Sequence, residues 1–225
     1  MALILHIDTS SSVGSVSVAH DGKLLAILQN EDQKEHASYL QPAIKKIIKK
    51  LSLKLTDLDA VAVANGPGSY TGLRVGLSSA KGLCYTLNIP LIAINSLQMM
   101  ARAAIDNNAD TSLLFCPMID ARRMEVFTAV YNNTLKEMLP TQANVLDNNS
   151  FVGLLLHNKI LFFGNGAEKF KSICIHPNAL FSDGYLTNNA LATLAFLQFK
   201  SQQFAKLAYC EPLYGKAFYT ATGTK

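Results

Sequence analysis

Two carboxylates, a run of hydroxyls and a glycine-rich turn are the residues of this chain whose types and spacing could do chemistry. Asp8 closes the apolar stretch "LILHID" and is followed by Thr9, Ser10, Ser11 and Ser12. Asp120 closes a second such stretch, "LLFCPMID", and is followed by Ala121, Arg122 and Arg123. Two aspartates meeting across a cleft would hold Mg²⁺ and orient a water for phosphoryl transfer, with Arg122 or Arg123 clamping phosphate. The plainer reading of Asp8 is a turn-former, its carboxylate accepting hydrogen bonds from the residues just after it.

The third feature is "ANGPGSYTGLRVG", residues 64–76. It fails every glycine motif with a known mechanism. A P-loop needs Gly-Lys-Ser/Thr where Gly72-Leu73-Arg74 stands, and a dinucleotide fingerprint needs glycine at Thr71. A serine-nucleophile elbow needs glycine at Pro67. What survives is a sharp Gly-Pro-Gly turn that launches a helix, with Ser69 or Thr71 as its cap. The open N–H groups of that first turn also suit an anion. Phosphate proximity at Asp8, Thr9, Ser10, Gly66, Gly68, Ser69 and Thr71 therefore stands beside the structural reading.

These residues need a scaffold, and the hydrophobic pattern supplies one. Residues 2–8, 13–19 and 23–30 read as strands, and Leu40, Ile44, Ile47, Ile48 and Leu51 recur at helical spacing. "DAVAVA" is a strand buried on both faces, a helix follows over 71–87, and "PLIAIN" precedes a helix that Ser96 would cap. From "LLFCPMID" the same order begins again, with a C-terminal helix near 187–200 and an irregular tail, "YCEPLYGKAF". Two β-β-β-α-β-α halves predict twin α/β lobes around a cleft, the topology of the actin, Hsp70 and sugar-kinase superfamily. The expected division is 1–108 for the N-terminal lobe and 109–225 for the C-terminal lobe.

The helix after the glycine turn has two contact surfaces. Leu73, Leu77, Ala80, Cys84 and Leu87 form one apolar stripe, and Gly72, Gly76, Ser79 and Gly82 form an adjacent small-residue surface. Glycine inside a helix costs about 1 kcal/mol against alanine, so something must approach closely there. That neighbour is either the chain's own sheet or a second subunit.

With 49% hydrophobic and 16% charged residues, the composition is that of a globular protein with a substantial core. No apolar run approaches the ~20 residues of a membrane helix, and the N-terminus reads as a strand rather than a signal peptide. The four scattered cysteines suggest reduced thiols and a cytoplasmic location. The five histidines form no ligand pair, so neither a metal nor a cofactor is expected. Much of the net charge of +4 sits in "KKIIKKLSLK", Lys45 to Lys54. Its four helical lysines are a solvated helix face or a docking point for RNA phosphates.

At "LHIDTSSSVGSVSV", "ANGPGSYTGLRVGLSSAKGL" and "MIDARRMEVFTAVY" the chain resembles the TsaB (YeaZ) family, most strongly over residues 3–130. The resemblance implies the twin-lobed fold and a role in making threonylcarbamoyladenosine in tRNA, next to the anticodon. It implies a non-catalytic subunit that pairs with the related enzyme TsaD, with the ATPase TsaE joining a ternary complex. Self-pairing when alone and indirect contact with tRNA follow from the same likeness. The catalytic relative carries a histidine pair for its metal. Here His36 stands alone in "EHASYL", with Leu40 where the second would fall.

The leading expectation is thus a scaffold with no catalytic residue, pairing through Leu40, Ile44, Leu73, Gly76, Leu77, Ser79 and Ala80. The alternative is a stand-alone ATPase, kinase or metallopeptidase of the same fold using Asp8 and Asp120.

Overall fold

The computed structural model describes residues 1–32 and 35–215. Strand β1 (Leu3–Asp8) lies at the centre of the first sheet, antiparallel to β2 (Gly14–His20) and parallel to β4 (Ala60–Gly66). With β3 (Lys23–Asn30) and β5 (Leu91–Asn95) the order is β3-β2-β1-β4-β5. The second sheet repeats it. β6 (Leu114–Asp120) takes the place of β1, followed by β7 (Glu125–Tyr131), β8 (Glu137–Val145), β9 (Ile160–Phe163) and β10 (Ala179–Ser182). Its order is β10-β9-β6-β7-β8. Each half continues past β-β-β-α-β-α by one more strand and one more helix. The sequence reading lacks β10, four residues too short to show an alternation.

Helices α1 (His36–Lys50) and α2 (Tyr70–Leu87) cover one face of the first sheet. Alternation along β1 sends Leu5 and Ile7 to that face, where they meet Leu40, Ile44, Ile47, Leu77, Ala80 and Cys84. Each fully buried leucine or isoleucine there contributes about 2 kcal/mol of transfer free energy. The second lobe has its own core around Phe162, with Phe151 and Phe170 edge-on at ring distances of 5.4 and 4.8 Å.

The two lobes share their last helices. α3 (Ser96–Asp106) follows the first sheet; after the short α4 (Val152–Leu155) and α5 (Ala167–Lys171) of the second half, α6 (Asn188–Lys200) follows the second sheet. Met99 and Ala103 of α3 face the first sheet, whereas Leu97 and Ala101 lie against Ala129 and Tyr131 of β7. On α6, Ala190, Leu191, Leu194 and Ala195 pack on Ile4, Ala62 and Ile92. After α6, Ala205 bridges to Leu91, and the Leu213 N–H donates to the Asn65 carbonyl at 2.8 Å. A division that assigns 109–225 to the second lobe is therefore corrected for residues 188–215. They follow the second sheet in sequence and pack on the first, where α6 and α3 together cover the apolar side of β1, β4 and β5. The expected tail is described as far as Gly215, and its residues 216–218 lie outside the described residues.

Candidate functional site: the interlobe cleft and the outer face of α2

A cleft of about 950 Å³ lies at the ends of β1 and β6, lined by Asp8, Ser10, Ser69, Ser96, Asp120 and Arg122 among others. Of the residues named for phosphate proximity, Asp8, Ser10, Gly68, Ser69 and Thr71 line it and Thr9 and Gly66 do not. Thr9 is fully buried and donates its hydroxyl to the Gly72 carbonyl at 2.7 Å. Gly66 has a φ of 107° and backs onto the Leu213 carbonyl, where any side chain would collide. Both residues are structural.

The glycine turn holds its own chain. A Cβ on Gly68 would meet the Ser10 carbonyl, one on Gly72 the Thr9 carbonyl, and one on Gly76 the Thr9 hydroxyl. The glycines thus let α2 press against the turn between β1 and β2. Ser69 is the helix cap, accepting from the Gly72 N–H at 3.3 Å, and its own N–H donates to the Ser10 carbonyl at 2.7 Å. The Leu73 N–H donates to the Ser69 carbonyl at 2.8 Å. The Ser69, Gly72 and Leu73 amides are thus bonded inside the chain.

The two carboxylates are spent in the same way. Asp8 is 5% exposed and accepts from the Ser10 N–H and hydroxyl at 2.9 and 2.6 Å. Burial pushes its carboxyl above the usual range, against the Ser10 hydrogen bonds and the nearby His36. Asp120 accepts from the Arg122 N–H at 2.6 Å and pairs with Lys169 at 2.9 Å. Partial burial raises its pKa, but the Arg122 N–H and Lys169 together outweigh that and hold it below the usual range. Both aspartates line one cleft, yet each is a turn-former with its near partners inside its own lobe. His36, 3% exposed, donates through Nε2 to the Ser11 carbonyl at 2.9 Å and so braces the first turn. Leu40 is buried in the core.

The expected partner interface is corrected. Leu40, Ile44, Leu73, Leu77 and Ala80 are between 0% and 4% exposed. Gly76 faces Thr9, Ile7 and Val63 of the chain's own sheet. Of the seven only Ser79 reaches the surface. The 4-3-4-3 stripe gave no sign of which side faced inward, and the sheet claims it. What α2 presents outward is a second, shallower stripe. Ser78, Ser79, Gly82 and Thr86 line a groove with Gln41 and Leu55, and Gln41 donates to the Ser79 hydroxyl at 3.0 Å. A Cβ on Gly82 would meet nothing within 4 Å, and Tyr85 beside it is 82% exposed.

Ser96, Asn188 and Tyr214 also line the cleft and carried no signal in the sequence. They arrive from α3, α6 and the segment after α6, which only the crossing of helices between lobes brings together. Asn95, not Ser96, caps α3, accepting from the Leu97 and Gln98 N–H groups at 2.8 and 3.2 Å. Tyr214 accepts from Arg74 Nε at 2.7 Å, and the guanidinium lies 4.2 Å over the Tyr70 ring.

Mirrored five-stranded sheets, each with a β-hairpin turn that begins at a cleft aspartate, define a twin-lobed α/β protein of the actin, Hsp70 and sugar-kinase class. A solved structure from Pseudomonas aeruginosa, described as an uncharacterized protein with similarity to peptidase YEAZ, superimposes with a TM-score of 0.82. It is 23% identical, over 96% of this chain and 100% of that one. A family model described as TsaD, tRNA N6-adenosine threonylcarbamoyltransferase, matches residues 26–209. The TsaB protein of Buchnera aphidicola subsp. Schizaphis graminum is 31% identical, over 75% of this chain and 81% of its own length. That of Bacillus subtilis is 34% identical over 62% of this chain. The chain belongs to the TsaB (YeaZ) family. The match spans less than two thirds of the Bacillus subtilis and Escherichia coli relatives, 60% and 54% of their lengths. These relatives are named tRNA threonylcarbamoyladenosine biosynthesis proteins. Among the described residues no helix is long and apolar enough to cross a membrane.

Proposed function

We propose that this chain is a non-catalytic subunit in the biosynthesis of threonylcarbamoyladenosine in tRNA, acting in the cytoplasm by pairing with TsaD and recruiting TsaE to the pair. The observation that carries the reading is the outward side of α2. Ser78, Ser79, Gly82 and Thr86 give the groove a stripe of low side-chain bulk beside Leu55, Leu83 and Leu87, on which a helix of another subunit can approach closely, and Tyr85 of the same helix, 82% exposed, offers an aromatic anchor. Glycine at position 82 is otherwise a cost to the helix with no internal neighbour to account for it. The same groove serves for self-pairing when TsaD is absent. Against catalysis by the chain itself stand the two cleft aspartates, each bonded within its own lobe. Lys45, Lys46, Lys49 and Lys50 all lie on the exposed side of α1, so contact with tRNA falls to that face and to the partner.

Light scattering on mixtures with TsaD tests the reading. Gly82→Leu fills the groove and is expected to weaken the heterodimer about tenfold or more, with the fold intact. Normal pairing by this variant would place the interface elsewhere. Failure of the unmodified chain to bind TsaD at micromolar concentration would sink the proposal. Metal-dependent ATP turnover by the chain alone, lost on Asp8→Ala, would establish the enzyme reading instead.

A further inference from the structure

The two helices that cover one face of the first sheet carry charge of one sign. α1 and α2 together hold Lys45, Lys46, Lys49, Lys50, Arg74 and Lys81, and neither contains an aspartate or a glutamate. These cations outnumber the net charge of +4 of the whole chain, so the rest of the molecule is net acidic. The α1 lysines are all exposed, and among the described residues none of them pairs with a carboxylate. The helix itself accounts for two of them. Lys49 and Lys50 sit in the last turn of α1, where cations meet the negative end of the helix dipole. Lys45 and Lys46 lie outside that turn, and each has a second lysine four residues on, a repulsive spacing.

The placement of the lysines relates them to the outward groove of α2. Gln41 of α1 lines that groove and donates to the Ser79 hydroxyl of α2. Lys45 and Lys49 follow Gln41 at four-residue spacing, so they continue its side of α1 along the rim. Lys46 and Lys50 stand about 100° further round the helix. Every residue that lines the groove is uncharged. Beside its Leu55, the carboxylate of Asp57 accepts from the Lys54 N–H at 2.8 Å. A docking helix therefore meets a neutral floor and a cationic rim. Two copies of this chain would set that rim against itself, because a twofold pair uses one patch twice. Like charges within a Debye length of about 8 Å oppose such a contact at physiological salt. A helix with small or apolar residues at its centre and Asp or Glu along its edge meets attraction instead.

We propose that the lysine rim of α1 selects the occupant of this groove, disfavouring a second copy of this chain and favouring a different subunit whose docking helix is edged with carboxylates. The selection rests on the groove being the pairing site read above. Lys45 and Lys49 meet the carboxylates of the partner, and Lys46 and Lys50 stay exposed for RNA. Rim charges act mainly on the association rate and its salt dependence, so ionic strength reads the selection directly.

Sedimentation equilibrium of the full chain, alone and with TsaD, at about 50 and about 500 mM NaCl is the test. The higher salt is expected to tighten self-pairing about threefold and to weaken the TsaD complex about tenfold. At the lower salt, Lys45→Glu with Lys49→Glu is expected to weaken the TsaD complex about tenfold and to tighten self-pairing about threefold, with the circular dichroism unchanged. Lys46→Glu with Lys50→Glu, further from the rim, is expected to move both less. A TsaD complex indifferent to salt would overturn the proposal, as would self-pairing that salt weakens, or a rim variant that loses tRNA binding with its pairing unchanged. If TsaD does not bind at all, the pairing reading falls, and self-pairing of the unaltered and rim-variant chains still decides the selection. No difference between those two chains would refute it.

Discussion

The hydroxyl of Thr9 donates to the carbonyl of Gly72, joining the first turn of the chain to the first turn of α2 across 63 residues of sequence. The glycine one helical turn further on, Gly76, packs its bare Cα against the same hydroxyl. The two glycines are small because Thr9 is there.

Alanine at two positions of α2 therefore has opposite effects. At Gly76 the added methyl collides with Thr9, and the collision outweighs the helix-propensity gain of about 1 kcal/mol; Gly76→Ala is expected to cost about 2 kcal/mol net. At Gly82 the methyl meets open space, so Gly82→Ala is expected to gain up to about 1 kcal/mol. Urea denaturation of the two variants reads both signs.

Leu77→Asp tests the assignment of the apolar stripe to the core. The side chain is 4% exposed among β-strand residues, and an unpaired carboxylate there is expected to cost about 4 kcal/mol or more. Far-UV circular dichroism would record loss of the fold. A folded variant with only its pairing impaired would return the stripe to the interface.

Asp8→Asn keeps the acceptor oxygen for Ser10 and removes the buried charge. In the unaltered chain the folded-state pKa is raised above 3.8, so the folded protein retains a proton that the unfolded one has released. Stability accordingly falls as pH rises from 3.8 through the folded pKa, and below 3.8 the residue has no such effect. The variant should lack this loss, and its stability relative to the unaltered chain should be greater at pH 7 than at pH 3. Equal differences at the two pH values would contradict the burial argument.

His6 acts on the acid side with the opposite charge. Burial pushes its pKa from 6.5 down to about 4, against a weaker upward pull from the Ser17 backbone. The unfolded chain binds this proton first, so stability is lost as pH falls from 6.5 to about 4, by at most about 3 kcal/mol. Replacing His6 with leucine should flatten the stability profile in that window. An unchanged slope in the variant would assign the acid sensitivity to other groups.

The order of elements was legible in the sequence because alternation and helical spacing survive in short windows. "LILHID" and "LLFCPMID" placed the two aspartates at equivalent strand ends, and both reach one cleft. Which side of α2 faces inward was not legible. Leu73, Leu77 and Ala80 look alike whether a sheet or a subunit covers them, and only the position of Ile7 and Val63 decides. Asn95 and not Ser96 is the cap because the backbone is still extended at Asn95 and already helical at Ser96, and no single-residue pattern fixes that boundary to one position. The glycine turn was legible as a turn with a cap at Ser69 or Thr71, and the structure has Ser69, but no local pattern could show that Thr9 and Ser10 would fill the space the glycines leave.

The exchange of α3 and α6 between the sheets has a consequence for how the polypeptide reaches its native state. A nascent chain that has completed α3 still leaves part of the Ile4, Ala62 and Ile92 side of its first sheet open to water, and the rest of its cover, α6, lies about eighty residues downstream. Neither half is finished until the other has been synthesised, so the molecule is expected to melt in a single cooperative transition, and excision of either half would leave an aggregation-prone remnant.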